Sequence, residues 1–253
     1  MATDPQYELV TSATDRLEGP LFLALSNIGL AGLTAADYLV QQLEFDQIGH
    51  VRTKNLPTVV PFRNGEPRRP IRLYASDDAD CCVLLSETVV PVWTAETFVD
   101  AVVDWLAETA LDDLTVLHGI PFPHGPDEHE VFSVATPDYQ RQRLADADST
   151  PLSGGILDGV PGELTTRRFD GDVPPVGVLV TPSHPPGPDL DAALRYLAFL
   201  TAHYDLEIDT EPLRERSEAL TRYYAELAER MAAMESQETP LEGRTLPDDR
   251  MYM

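Results

Sequence analysis

The order of apolar patterns constrains this chain more than any single motif does: short strand-type runs alternate with stretches of helical spacing. Residues 21–25 (LFLAL) read as a buried strand, and the turn Ser26-Asn27-Ile28-Gly29 follows. Helical spacing then takes over, with Leu33, Ala36, Leu39, Val40 and Leu43 on one face. Further strands are predicted at residues 58–60, 71–74, 82–85, 115–118 and 176–180. The spacing predicts a helix over 94–108, with Thr94 as N-cap and Phe98, Val102, Trp105 and Leu106 as its apolar stripe. Asp189 precedes another helix, which buries Leu190, Ala193, Leu194, Leu197 and Leu200. Such repeated alternation predicts α/β layers around a largely parallel sheet. Pro- and Gly-bearing loops fill residues 119–162 without a repeat or a second core, so one domain is expected over residues 1–235.

The chain has 253 residues, 43% of them hydrophobic, which is enough to bury a full core. No apolar run approaches the ~18 residues of a membrane span, and the opening MATDPQYELV lacks a signal peptide's basic start and apolar stretch. A soluble, cytoplasmic protein with no membrane partner is the expectation. Acidic residues number 43 against 18 basic ones, a net charge of −25, and Lys54 is the only lysine. Acid excess with lysine nearly absent predicts a halophilic cytoplasm, where molar salt shortens the Debye length to about 3 Å and screens self-repulsion. The same charge disfavours nucleic acid as a partner, because the densest basic pairs, Arg68-Arg69 and Arg167-Arg168, are too short for a stripe. The only cysteines, Cys81 and Cys82, are adjacent in an apolar run. Neighbouring strand residues point to opposite faces, so they read as two small buried hydrophobes in a reducing compartment.

The last helix differs from the others. From Leu213 through Leu220, Tyr224, Leu227, Met231 and Met234 the apolar residues form a heptad seam, with Ser217 breaking it. Asp209 or Thr210 caps the helix, and Pro212 sits in its first turn, where a missing N–H costs nothing. Two readings stay open: a helix laid against its own sheet, or a seam shared with a second protomer. Residues 236–253 carry too little apolar content to order themselves, and extended they span at most about 60 Å. This flexible acidic tail nevertheless ends on three large residues, Met251, Tyr252 and Met253.

Enzyme motifs are fragmentary. Residues 26–32 (SNIGLAG) lie where dinucleotide loops occur but lack G-x-G-x-x-G, so a glycine for a tight strand-to-helix turn is the expectation. Residues 152–162 (LSGGILDGVPG) hold four glycines that can cradle an anion, yet no G-K-[ST] follows. His118, His124 and His129 lie within twelve residues, but intervening prolines leave their geometry unspecified and no H-E-x-x-H helix exists. Ser183-His184 lacks a G-x-S-x-G elbow, and adjacent side chains rarely form a nucleophile–base pair. No catalytic residue, metal or cofactor is expected.

Four segments in order resemble the PAC2 family of proteasome assembly chaperones, specifically its archaeal members. They are LFLALSNIGLAGLTAADYLVQQL (21–43), GGILDGVPGEL (154–164), PDLDAALRYL (188–197) and IDTEPLRERSEAL (208–220). Ser26 stands where many members carry glycine. The resemblance implies a three-layer α/β/α sandwich similar to nucleoside phosphorylases, with a long C-terminal helix and no established catalysis. It gives the tail meaning, since Met251-Tyr252-Met253 is similar to the hydrophobic-Tyr-X ending of proteasome activators and assembly factors. The implied role is a homo-oligomeric, ATP-independent assembly chaperone or activator whose tail enters pockets between 20S proteasome α subunits. The implied partner-binding residues are Met251 in a cleft, the Tyr252 hydroxyl on a backbone acceptor and the Met253 carboxylate on a lysine. The rival class is a small-molecule binder or enzyme using the loops at 26–29 and 154–162.

Overall fold

The computed structural model describes residues 4, 6–12, 17–76, 79–121, 125, 128–145, 149–185, 187–204 and 206–237. Nine strands form one mixed sheet in the order β1-β3-β6-β7-β2-β8-β11-β9-β10, and a two-stranded hairpin of β4 (Phe62–Arg63) and β5 (Glu66–Pro67) stands apart. The centre is parallel: β7 (Cys81–Ser86), β2 (Glu18–Leu25), β8 (Ala110–Ile120) and β11 (Val176–Pro182). These four read as near-continuous apolar runs because helices cover both faces. β1 (Gln6–Thr11), β3 (Asp46–Lys54) and β6 (Ile71–Ser76) add an antiparallel margin on one side. β9 (Phe132–Ala135), antiparallel to β11, and β10 (Thr150–Pro151) close the other.

Helices α1 (Ala31–Gln42) and α5 (Leu190–His203) cover one face, and α2 (Ala95–Leu106) and α4 (Gly159–Asp170) the other. The α/β layers predicted from the alternation are therefore present, as the three layers the resemblance implied, with a core on each side of the sheet. Cys82 joins the α2–α4 core and Cys81 the α1–α5 core, both as free thiols pushed up to about 12 by burial. Asp189 caps α5 through Oδ1, which accepts from the Ala192 N–H at 2.9 Å. Short α3 (Pro137–Arg143) precedes β10, and α6 (Glu211–Gln237) ends the described chain.

Two local expectations are corrected. Residues 58–60 form no strand and are exposed, since Pro57 and Pro61 bracket them and remove the donors a ladder needs. Thr94 precedes α2 but makes no side-chain cap. Its hydroxyl donates instead to the Pro91 carbonyl at 2.9 Å and accepts from Tyr7 at 2.9 Å, tying β1 to the α2 layer.

Candidate functional site

The carboxyl ends of the neighbouring parallel strands β2, β8 and β11 lie side by side, at the edge where open α/β sheets receive ligands. β2 runs into a single 3-10 turn, Ile28–Leu30, and then α1. Gly29 has φ 72°, and a Cβ there would lie 2.0 Å from Ser183 Oγ, so only glycine lets the turn seat on β11's end. The turn that resembled half a dinucleotide loop is thus a packing device. Asn27, at its start, sets its Nδ2 3.5 Å from His118 Nδ1 near the end of β8. On the other face of the sheet, His118, Ile120, Val134 and Val180 floor a cavity of about 460 Å³ roofed by Leu152, Leu157 and Pro161. Gly154, Gly155, Ile156 and Asp158 complete its wall.

The two loops that the sequence offers as a rival site therefore converge on His118, from opposite sides. Burial pushes the His118 imidazole down despite the opposing charge of Asp158, so the ring is neutral near pH 7. Asp158 occupies the N-cap position of α4 yet makes no side-chain cap bond. A neutral imidazole beside a carboxylate, in apolar walls, can orient an uncharged ligand. It does not assemble a nucleophile.

Asp189 Oδ2 accepts from the His184 backbone N–H at 2.9 Å and lies 2.8 Å from its Nδ1, while Ser183 Oγ is buried under Gly29 without a hydrogen-bond partner among the described residues. The pair is no dyad. The His129 ring meets that of His184 at 5.4 Å, and His124 lies outside the described residues. Among the described residues no group of three or more His, Cys, Asp or Glu side chains is placed to hold a metal.

The long helix resolves part of the open question about its seam. Leu213 and Ser217 are buried, and the Ser217 hydroxyl donates to Asp191 on α5. Asp209 Oδ1 accepts from the Glu211 N–H at 3.0 Å, and the Tyr38 hydroxyl donates to the Asp209 carbonyl at 2.6 Å, anchoring the start. Beyond Ser217 the body ceases to cover the helix: Tyr223 is 58% exposed, Leu227 39% and Met231 57%. Ser217, which breaks the heptad pattern, marks where α6 leaves its own domain. Met251, Tyr252 and Met253 lie outside the described residues.

Sequence reasoning missed two polar clusters. In one, Thr115 Oγ1 meets the Tyr139 and Tyr204 hydroxyls at 2.8 and 2.6 Å and donates to Asp113, whose Oδ2 accepts from Arg143 Nε at 2.7 Å. Burial pushes Asp113 up in spite of Arg143, and its neighbours are tyrosines held protonated by burial. These residues are scattered over ninety positions, so only the fold joins them. The other cluster centres on Arg72, which is 1% exposed: its Nη1 donates to Glu87 Oε2 at 2.7 Å and its Nε to the Tyr74 hydroxyl at 2.7 Å.

A three-layer sandwich with a strand-end cavity, no assembled catalytic set among the described residues and a terminal helix projecting from the body is the class these observations define. The chain belongs to the PAC2 family, whose sequence profile matches residues 21–228. Pyrococcus furiosus PbaA, an archaeal homologue of a proteasome-assembly chaperone, is similar in fold with a TM-score of 0.78 and 20% identity, over 90% of this chain and 95% of that one. Pyrococcus furiosus PbaB, an archaeal proteasome activator, gives 0.73 and 20% over 88% and 99%. An uncharacterised protein of Methanocaldococcus jannaschii is 24% identical over 90% of this chain and 94% of its own length.

Proposed function

We propose that this protein is a proteasome assembly chaperone or an ATP-independent 20S activator that works from the cytoplasm of a salt-rich cell. The observation that carries the reading is α6, which leaves the body after Ser217 with its apolar seam uncovered and leads directly into the C-terminal tail. Family membership and the likeness to an assembly-chaperone homologue and an activator support it. In this reading the seams of several copies pair, and the grouped tails present Met251, Tyr252 and Met253 to the pockets between 20S α subunits. One tripeptide binds weakly, but tethering several on one oligomer raises their effective concentration. The charge of −25 and the single lysine support the salt-rich setting.

The test is capture of 20S α subunits by the full-length protein, by Tyr252→Ala and by a chain lacking residues 251–253. Full-length protein retains the α subunits; both variants lose them. Equal capture by all three discards the tail mechanism. A second reading, a small-molecule binder, is favoured by one observation, the cavity of about 460 Å³ beside His118 and Asp158. That reading leaves ligand binding intact when the tail is removed.

A further inference from the structure

Charge is distributed very unevenly. Residues 47–72 carry six basic side chains against one acidic, Glu66, in a chain whose net charge is −25. Sequence inspection sees only the pair Arg68-Arg69 there. The fold adds to it: Arg52 and Lys54, from the end of β3, line the same hollow as Arg68 and Arg69, a concavity of about 600 Å³. Its remaining wall includes Val59 and Val60, which are 47% and 57% exposed, and Phe62, 74% exposed, stands two residues further on.

These cations are incompletely neutralised. Arg68 pairs with Glu87, and Arg52 reaches Glu8 only at 3.9 Å with both side chains more than half exposed. Lys54 and Arg69 have no ion pair among the described residues. Among the described residues Arg68 Nε, in the wall of the hollow, is buried with no hydrogen-bond partner. An unpaired buried N–H is costly, so the unused donor of Arg68 calls for an acceptor here. His50, on the same strand, reports the local field: burial, then the charges of Arg69 and Arg52, push its imidazole down.

We propose that this hollow is a docking site for an acidic segment of a partner protein. Carboxylates of the segment pair with Lys54, Arg69, Arg52 and Arg68, and an apolar side chain among them packs on Val59, Val60 and Phe62. Carboxylate–guanidinium pairs of this kind are short and directional, and the apolar flank partly desolvates them. A peptide fits better than a nucleic acid. A phosphate backbone needs cations along its length, whereas the neighbouring hollow shares Arg52 and Lys54 but adds Glu8, Asp100 and Asp104. The patch is an island, and a short anionic segment with an apolar anchor matches an island. The inference is independent of the tail.

Fluorescence anisotropy tests it with a labelled peptide of Glu-Glu-Leu repeats, the same peptide with Gln for Glu, and an oligothymidylate of equal charge. In roughly 0.1 M salt the acidic peptide binds saturably and the Gln peptide does not. Lys54→Glu/Arg69→Glu weakens binding by about tenfold or more and Phe62→Ser by about threefold, all without a change in thermal midpoint. Arg141→Glu/Arg222→Glu makes the same charge change elsewhere and alters affinity by less than about twofold. If the milder Lys54→Gln/Arg69→Gln protein binds as the parent does, the site is refuted. Absence of saturable binding, equal loss in the control variant, or tighter binding of the oligothymidylate also overturns the proposal.

Discussion

Arg72 is a cation buried in the antiparallel margin, and Glu87 is the carboxylate that makes its burial tolerable. Burial pushes Glu87 up, but the hydrogen bonds and charges of Arg72 and Arg68 outweigh it and hold the carboxyl below its ordinary 4.5. A carboxyl depressed in the folded state stabilises fully above its unfolded value, and that contribution disappears as pH falls through the lower, folded one. Glu87→Gln is therefore expected to cost about 3 kcal/mol near neutral pH, because it strands the Arg72 charge. The cost shrinks as the parent is acidified below about 4.5 and loses the same carboxylate. Thermal melts of both proteins between pH 7 and 3 check this; parallel melting curves across that range contradict it. None of this pairing is legible in the sequence, where Arg72 falls inside one predicted strand, 71–74, and Glu87 beyond the end of another, 82–85.

At the scale of elements, legibility followed burial. The central strands and α1, α2, α5 and α6 could be read because an element covered on one or both faces must carry its apolar residues at a fixed period. β3 (DQIGHVRTK) could not, since its solvent side is polar and its inner side holds only Ile48, His50-flanking Gly49 and Val51 as small or apolar groups. α4 begins inside the Gly- and Pro-bearing stretch 119–162 that reads as loop, and the meeting of residues 26–29 with 154–158 around His118 is purely tertiary. α6 tests the element scale directly. Most helix stability in proteins comes from packing an apolar face rather than from propensity, so the part beyond Ser217 needs a partner surface. Leu227→Lys/Met231→Lys is expected to turn an oligomer into a monomer by light scattering and to lower helical ellipticity. The midpoint of the α/β body should hold, since among the residues of α6 whose burial is described only Leu213 and Ser217 are buried in it. An unchanged mass refutes the shared seam.

The whole molecule sets two binding modes against each other through salt. A surface of −25 repels any acidic partner at long range, and molar salt, with a Debye length of about 3 Å, removes that repulsion. Tail docking in the proposed form uses an apolar plug and a terminal carboxylate in a closed pocket, contacts that screening reaches poorly. Association with 20S particles is therefore expected to hold or strengthen from roughly 0.15 M to 2 M KCl, measured by sedimentation of the mixed proteins. The basic hollow behaves oppositely: its exposed pairs at Lys54 and Arg69 weaken as ions compete, so acidic-peptide binding falls over the same range. A loss of 20S association that tracks the loss of peptide binding would transfer the contact from the tail to the hollow. Association that survives in salt but disappears with Tyr252→Ala assigns it to the tail, because no residue of the hollow is altered in that variant.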